Sequence, residues 1–137
     1  MSELTRMKYL RLTTFLVGLV FIAGIYALIV IWPSGWSWHT GQSHPLPHDL
    51  PHYLQMILGV YATLGVFLLV ASRNPLAHLS LIRFTVWSSV VHAGIMAMQA
   101  LANPDQRGHL VGDVPALLIL AAVLAFFTPR RAAAKPA

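Results

Sequence analysis

Residues 84–101, FTVWSSVVHAGIMAMQAL, run without a charge and carry one ionisable side chain, His92. At about 1.5 Å per residue a helix of this length reaches roughly 27 Å, close to the hydrocarbon thickness of a bilayer. A histidine at such depth is costly unless it faces a protein interior, so it marks a candidate site. On a helical projection Thr85, Ser88, Ser89, His92, Met96 and Gln99 fall within an arc of about 100°. The third apolar run therefore carries a polar stripe.

Three further runs flank it. Leu12 to Trp32 contains no charge, Tyr53 to Ala71 follows a proline-rich stretch, and Leu110 to Phe127 stops at Thr128-Pro129. Prolines and the Asn74-Pro75 step interrupt helix between the runs. The first run is longer than a signal-peptide core and no small-residue cleavage site follows it, so it is expected to be retained. The expected fold is all-α: one integral membrane domain over residues 1–137, a four-transmembrane-helix bundle with spans at about 12–32, 53–71, 84–101 and 110–127.

Composition agrees, with 57% hydrophobic against 9% charged residues. The net charge of +5 does not point to nucleic acid, because the basic residues sit at the ends of the apolar runs. Arg6, Lys8, Arg11, Arg73, Arg83, Arg130, Arg131 and Lys135 fall on one side of the expected membrane, and Arg107 on the other. Cytoplasmic loops retain Lys and Arg, so both termini are expected in the cytoplasm. The loop from Pro33 to Pro51, with Trp36, Trp38, His39, His44, His48 and Asp49, then lies outside. Trp32, Trp36 and Trp38 suit an interfacial aromatic belt. Asp49-Leu50-Pro51 and Asp113-Val114-Pro115 read as aspartate caps with proline in the first turn. Arg11-Leu12-Thr13 against Arg83-Phe84-Thr85, and Ala23-Gly24-Ile25 against Ala93-Gly94-Ile95, hint at a duplicated hairpin.

His48, His52, Gln55, Met56, Gly59 and Thr63 make a second stripe, on the second helix. Lipid cannot satisfy either stripe, so the two are expected to face each other, as interhelical glue or as a ligand pocket. The pocket residues would be His52, Met56, Ser88, His92, Met96 and Gln99. His92 and Met96, one turn apart, with Met56 at similar depth, suit a soft ion such as Cu(I). A haem or single ion joining His52 to His92 would need a large helix displacement and is not expected, since metal–nitrogen bonds are about 2 Å. At the outer mouth His48, His52, His109 and Asp113 form a candidate zinc or copper site, the plainer reading being structural or solvated histidines.

No cysteine is present, which removes disulfides, thiolate metal sites and cysteine nucleophiles. Nucleotide loops, nucleophile elbows and zinc-protease pairs are also missing. The four-span plan, the Asn74-Pro75 turn and the stretch His109-Leu110-Val111-Gly112-Asp113-Val114-Pro115 are loosely similar to small uncharacterised bacterial inner-membrane proteins of the DoxX-like four-helix group. The resemblance implies fold and location and no activity. Three functions stay open: a binding or accessory protein whose pocket around His92 opens outward to a small lipophilic or soft-metal ligand, a structural subunit of a homo-oligomer or larger membrane complex, and an enzyme for a lipid-soluble substrate. In the last, His92 would serve as acid or base, with Ser88 or Gln99 positioning the substrate.

Overall fold

The computed structural model describes residues 2–24 and 52–129, with backbone alone for 52–55. The expected outer loop, its tryptophans, His39, His44, His48 and Asp49, the His52 and Gln55 side chains, and Arg130, Arg131 and Lys135 lie outside what is described. Four long helices make up the fold among the described residues: α1 (Glu3–Leu19), continued by a π-helical turn over Val20–Gly24, α2 (His52–Arg73), α3 (Leu79–Ala102) and α4 (Asp113–Phe127). Short 3₁₀ segments, Pro75–His78 and Pro104–Leu110, join α2 to α3 and α3 to α4. α2 over Met56–Arg73, and each of the other three helices counted with its adjoining short segment, is long and apolar enough to cross a membrane.

Helix starts differ from the charge-free runs for local reasons. Ser2 accepts a hydrogen bond from the Thr5 amide at 3.2 Å, so α1 begins at Glu3 and carries Arg6, Lys8 and Arg11 in helical turns. α3 likewise starts at Leu79, ahead of Arg83. The last helix starts late. Pro104 cannot continue α3, the Asn103 side chain accepts from the Asp105 amide, and residues to Leu110 form 3₁₀ turns before α4 opens at Asp113.

Large apolar side chains face outward. On α3, Phe84, Trp87, Val91, Ile95, Met98 and Leu101 are exposed while, past Leu79 and Ile82 in its first turn, Thr85, Ser89, Ala93 and Ala100 are buried. Small and hydroxylated residues inside with bulky ones outside is the pattern of helices packed in lipid, where burial of apolar area gives no drive and close backbone approach does. The central cluster is Leu10, Val17, Phe21, Leu68, Ile82 and Leu124. α1 packs closely on α2 and α3 on α4, α1 also meets α4, and the seam between α2 and α3 is sparse.

Gly18 and Gly65 set the closest approach. A Cβ on Gly65 would lie 2.7 Å from the Gly18 carbonyl oxygen, and one on Gly18 would lie 2.9 Å from that of Gly65. No such crowding exists at Gly59, which faces outward with open space. The expectation that the stripe of α2 faces that of α3 is therefore corrected: Met56 is 72% exposed, and Gly59 and Thr63 are exposed beside it. α2 turns Tyr61, Leu64 and Leu68 inward instead.

At one end the chain closes on itself. Arg6 donates from Nε to the Phe127 carbonyl at 3.0 Å and from Nη2 to the Thr128 carbonyl at 2.8 Å. These are terminal carbonyls of α4 with no partner in their own helix, and a cation there also suits the helix dipole. Arg83 donates to the Pro129 carbonyl, and Tyr9 stacks on Phe127. The start of α1 and the end of α4 thus share the basic end of the bundle.

Substituting Gly65→Ala is expected to cost about 1–3 kcal/mol through overpacking, whereas Gly59→Ala, at an open helical position, is expected to be neutral or to gain up to about 1 kcal/mol. Thermal unfolding of the two variants in detergent reads the contrast; equal midpoints would remove the Gly18–Gly65 contact as the packing determinant.

Candidate functional site

The late start of α4 brings polar residues of three helices to one level. Counting about 1.5 Å per residue from the basic end, Tyr61 lies roughly 18 Å in, His92 roughly 20 Å, Asp113 roughly 21 Å, and Phe21 roughly 22 Å from the level of Arg6. α4 has only 15 residues, so its first turn is drawn below the end of α3. The 3₁₀ segment Pro104–Leu110 packs back along α3 and takes His109 with it, 8% exposed.

At this level the hydroxyl of Tyr61 hydrogen-bonds Nδ1 of His92 at 3.3 Å, across the sparse seam between α2 and α3. The two rings meet edge to face, with centroids 5.9 Å apart. On its other side Tyr61 makes an edge contact with Phe21 at 4.9 Å. Phe21 sits in the π turn, where extra residues per turn re-aim side chains relative to regular α-helix. Phe21, Tyr61 and His92 therefore form a row of edge-to-face contacts. His92 is half-buried, and its second nitrogen has no hydrogen-bond partner among the described residues.

The second pair is His109 and Asp113. Nδ1–H of His109 donates to Oδ2 of Asp113 at 2.6 Å, with both side chains largely buried. The cap expected of Asp113 is corrected: the N-cap is Gly112, without a side-chain bond, and Asp113 is the first helical residue with its carboxylate on the histidine. Its position still suits the positive end of the helix dipole. Asp113 is close enough to act electrostatically on both Tyr61 and His92, and His109 on His92.

The remaining stripe residues do other things. Ser88 donates to the Thr85 carbonyl of its own helix at 3.2 Å, and Thr14, Thr63, Ser72, Thr85 and Thr128 turn back in the same way. These hydroxyls satisfy themselves locally rather than joining helices. Met96 is half-buried one turn beyond His92, and Gln99 and Met56 are exposed. Of the proposed outer metal residues, His109 and Asp113 are brought together. Among the described residues no group of three or more His, Cys, Asp or Glu is placed to hold a metal ion. Tyr61 is the site residue that the stripe analysis omits. The signal for it was present, since it lies nine residues into its helix at the level of His92.

A family model, described as a family of unknown function (DUF6632), matches residues 4–136. The chain belongs to this family. Neither the curated proteins nor the solved structures gave a match. The family match thus covers all four helices, with Tyr61, His92, His109 and Asp113 among them.

Replacing Asp113 with Asn or His109 with Ala takes the charge assistance or the whole bond from a largely buried pair. A loss of roughly 1.5–3 kcal/mol is expected, seen as a lowered thermal midpoint in detergent. Unchanged midpoints for both variants would mean that the pair does not hold the start of α4.

Proposed function

We propose that this protein is a multi-pass membrane binding protein that holds a small lipophilic ligand at the Tyr61–His92 pair. The observation that carries the reading is a polar pair at mid-bundle depth on the least packed seam, with one histidine nitrogen still unpartnered among the described residues. An intramembrane histidine oriented by a partner on a neighbouring helix is costly to maintain unless it contacts something. The aromatic row of Phe21 and Tyr61 supplies apolar contact beside it. Met56, exposed on α2, adds nothing to a metal reading of His92.

The membrane we propose is a bacterial inner membrane, in line with the likeness to DoxX-like proteins, with both termini cytoplasmic. Supporting this are the basic residues Arg6, Lys8, Arg11, Arg73 and Arg83, gathered at the end where α1 begins and α4 finishes. His92 is then reached from the non-cytoplasmic half or from lipid through the α2–α3 seam.

Solvent extracts of the purified protein, compared by mass spectrometry, test the binding role. A lipophilic species enriched in the wild type is expected to fall at least about tenfold in His92→Leu, corresponding to 1.4 kcal/mol. Identical extracts from folded wild type and variant would sink the proposal. For topology, a reporter active only outside the cytoplasm is expected to stay silent at either terminus, and activity at one of them would overturn the orientation.

A further inference from the structure

The Tyr61–His92 bond also limits what the ligand can be. A phenol hydroxyl is a good donor and a poor acceptor, while the unprotonated nitrogen of imidazole is a good acceptor. With Tyr61 Oη 3.3 Å from Nδ1, the pairing that satisfies both groups has the hydroxyl donating to Nδ1. Neutral imidazole carries one proton, which then resides on Nε2. The nitrogen left without a partner among the described residues is thus an N–H, a donor without a lone pair to give.

A metal ion on Nε2 would need the opposite tautomer. Nδ1–H would have to donate to the phenol oxygen, and the Tyr61 O–H would lose its acceptor in an apolar surrounding. Histidines that bind metal direct their other N–H to a carboxylate, carbonyl or water. The nearby carboxylate, Asp113, is bonded to His109. Met96, one turn away, would suit a soft ion only if the histidine offered a lone pair.

We propose that Tyr61 holds His92 in its Nε2–H form, so that the site binds an apolar molecule through a carbonyl oxygen rather than a metal ion. This rests on the ligand-site reading above and narrows it to one chemistry. A carbonyl at this place has two sources, a separate carbonyl-bearing lipophile or the ester group of a bilayer lipid.

Two measurements decide. First, protein labelled with ¹⁵N-histidine is studied by NMR in nanodiscs of ether-linked lipid, the His92 signals being assigned by their loss in His92→Gln. A pyridine-type Nδ1 and a pyrrole-type Nε2 are expected, with that preference lost in Tyr61→Phe. A protonated Nδ1 in the wild type overturns the proposal, whatever the variants do. Second, binding of 2-acetylnaphthalene is compared with that of 2-ethylnaphthalene, which has the same shape without the oxygen. The ketone is expected to bind about tenfold tighter, an advantage lost in His92→Leu and largely kept in His92→Gln, whose amide preserves a donor. Nanodiscs of ester lipid then separate the sources: unchanged ketone affinity supports a separate lipophile, and a marked fall supports the lipid ester as occupant. Equal affinity for the two probes overturns the carbonyl assignment. Stoichiometric Cu(I) retention that depends on His92 overturns it too, while leaving the seam a ligand site. Failure of the wild type to bind either probe or Cu(I) overturns both the assignment and the ligand-site reading.

Discussion

Most of the described polar groups in this bundle answer to one constraint: at membrane depth there is no water to complete a hydrogen bond, so the protein supplies the partner itself. Serine and threonine hydroxyls meet the requirement within one turn of their own helices, as Thr14 does on Leu10 and Thr85 on Leu81. Side chains too long or rigid to turn back need partners elsewhere. Arg6 finds the last carbonyls of α4, His109 finds Asp113, and His92 finds Tyr61. The hydroxyls leave the helices independent, whereas the Arg6 and His92 links join separate helices and the His109–Asp113 link ties the 3₁₀ segment to the start of α4.

Because apolar burial offers little drive between helices in lipid, packing quality is decided by shape. The glycine pair at 18 and 65 lets two backbones touch, and the small inward residues of α3 bring α4 close in the same manner. Among the described residues the packing between α2 and α3 is sparser, and the Tyr61–His92 pair bridges that seam.

Four spans were legible in the sequence because length and the absence of charge dominate at that scale. Their starts were less so, since Arg6, Lys8 and Arg83 look like boundaries although a helix carries them easily where its end leaves the hydrocarbon. The stripe on α3 was legible, with Thr85 and Ser89 buried and His92 half-buried as a helical projection suggests. The stripe on α2 was not, for a physical reason: Gly59 and Thr63 satisfy themselves without a neighbour and can face lipid at little cost. Tyr61, counted as apolar, has the hydroxyl that His92 needs. The short α4 was hidden too, because Leu110, Val111 and Val114 continue the apolar run across a helix start that Pro104 and Gly112 set.

The uneven packing of the four helices also has a mechanical side. With α1 gripped by α2 at the glycines and by α4 at the Arg6 clasp, stiffness is concentrated along one edge of the bundle, as in the spine of a book. The opposite edge, where the facing pages carry Tyr61 and His92, is held by the sparser packing and is the one that costs least to part.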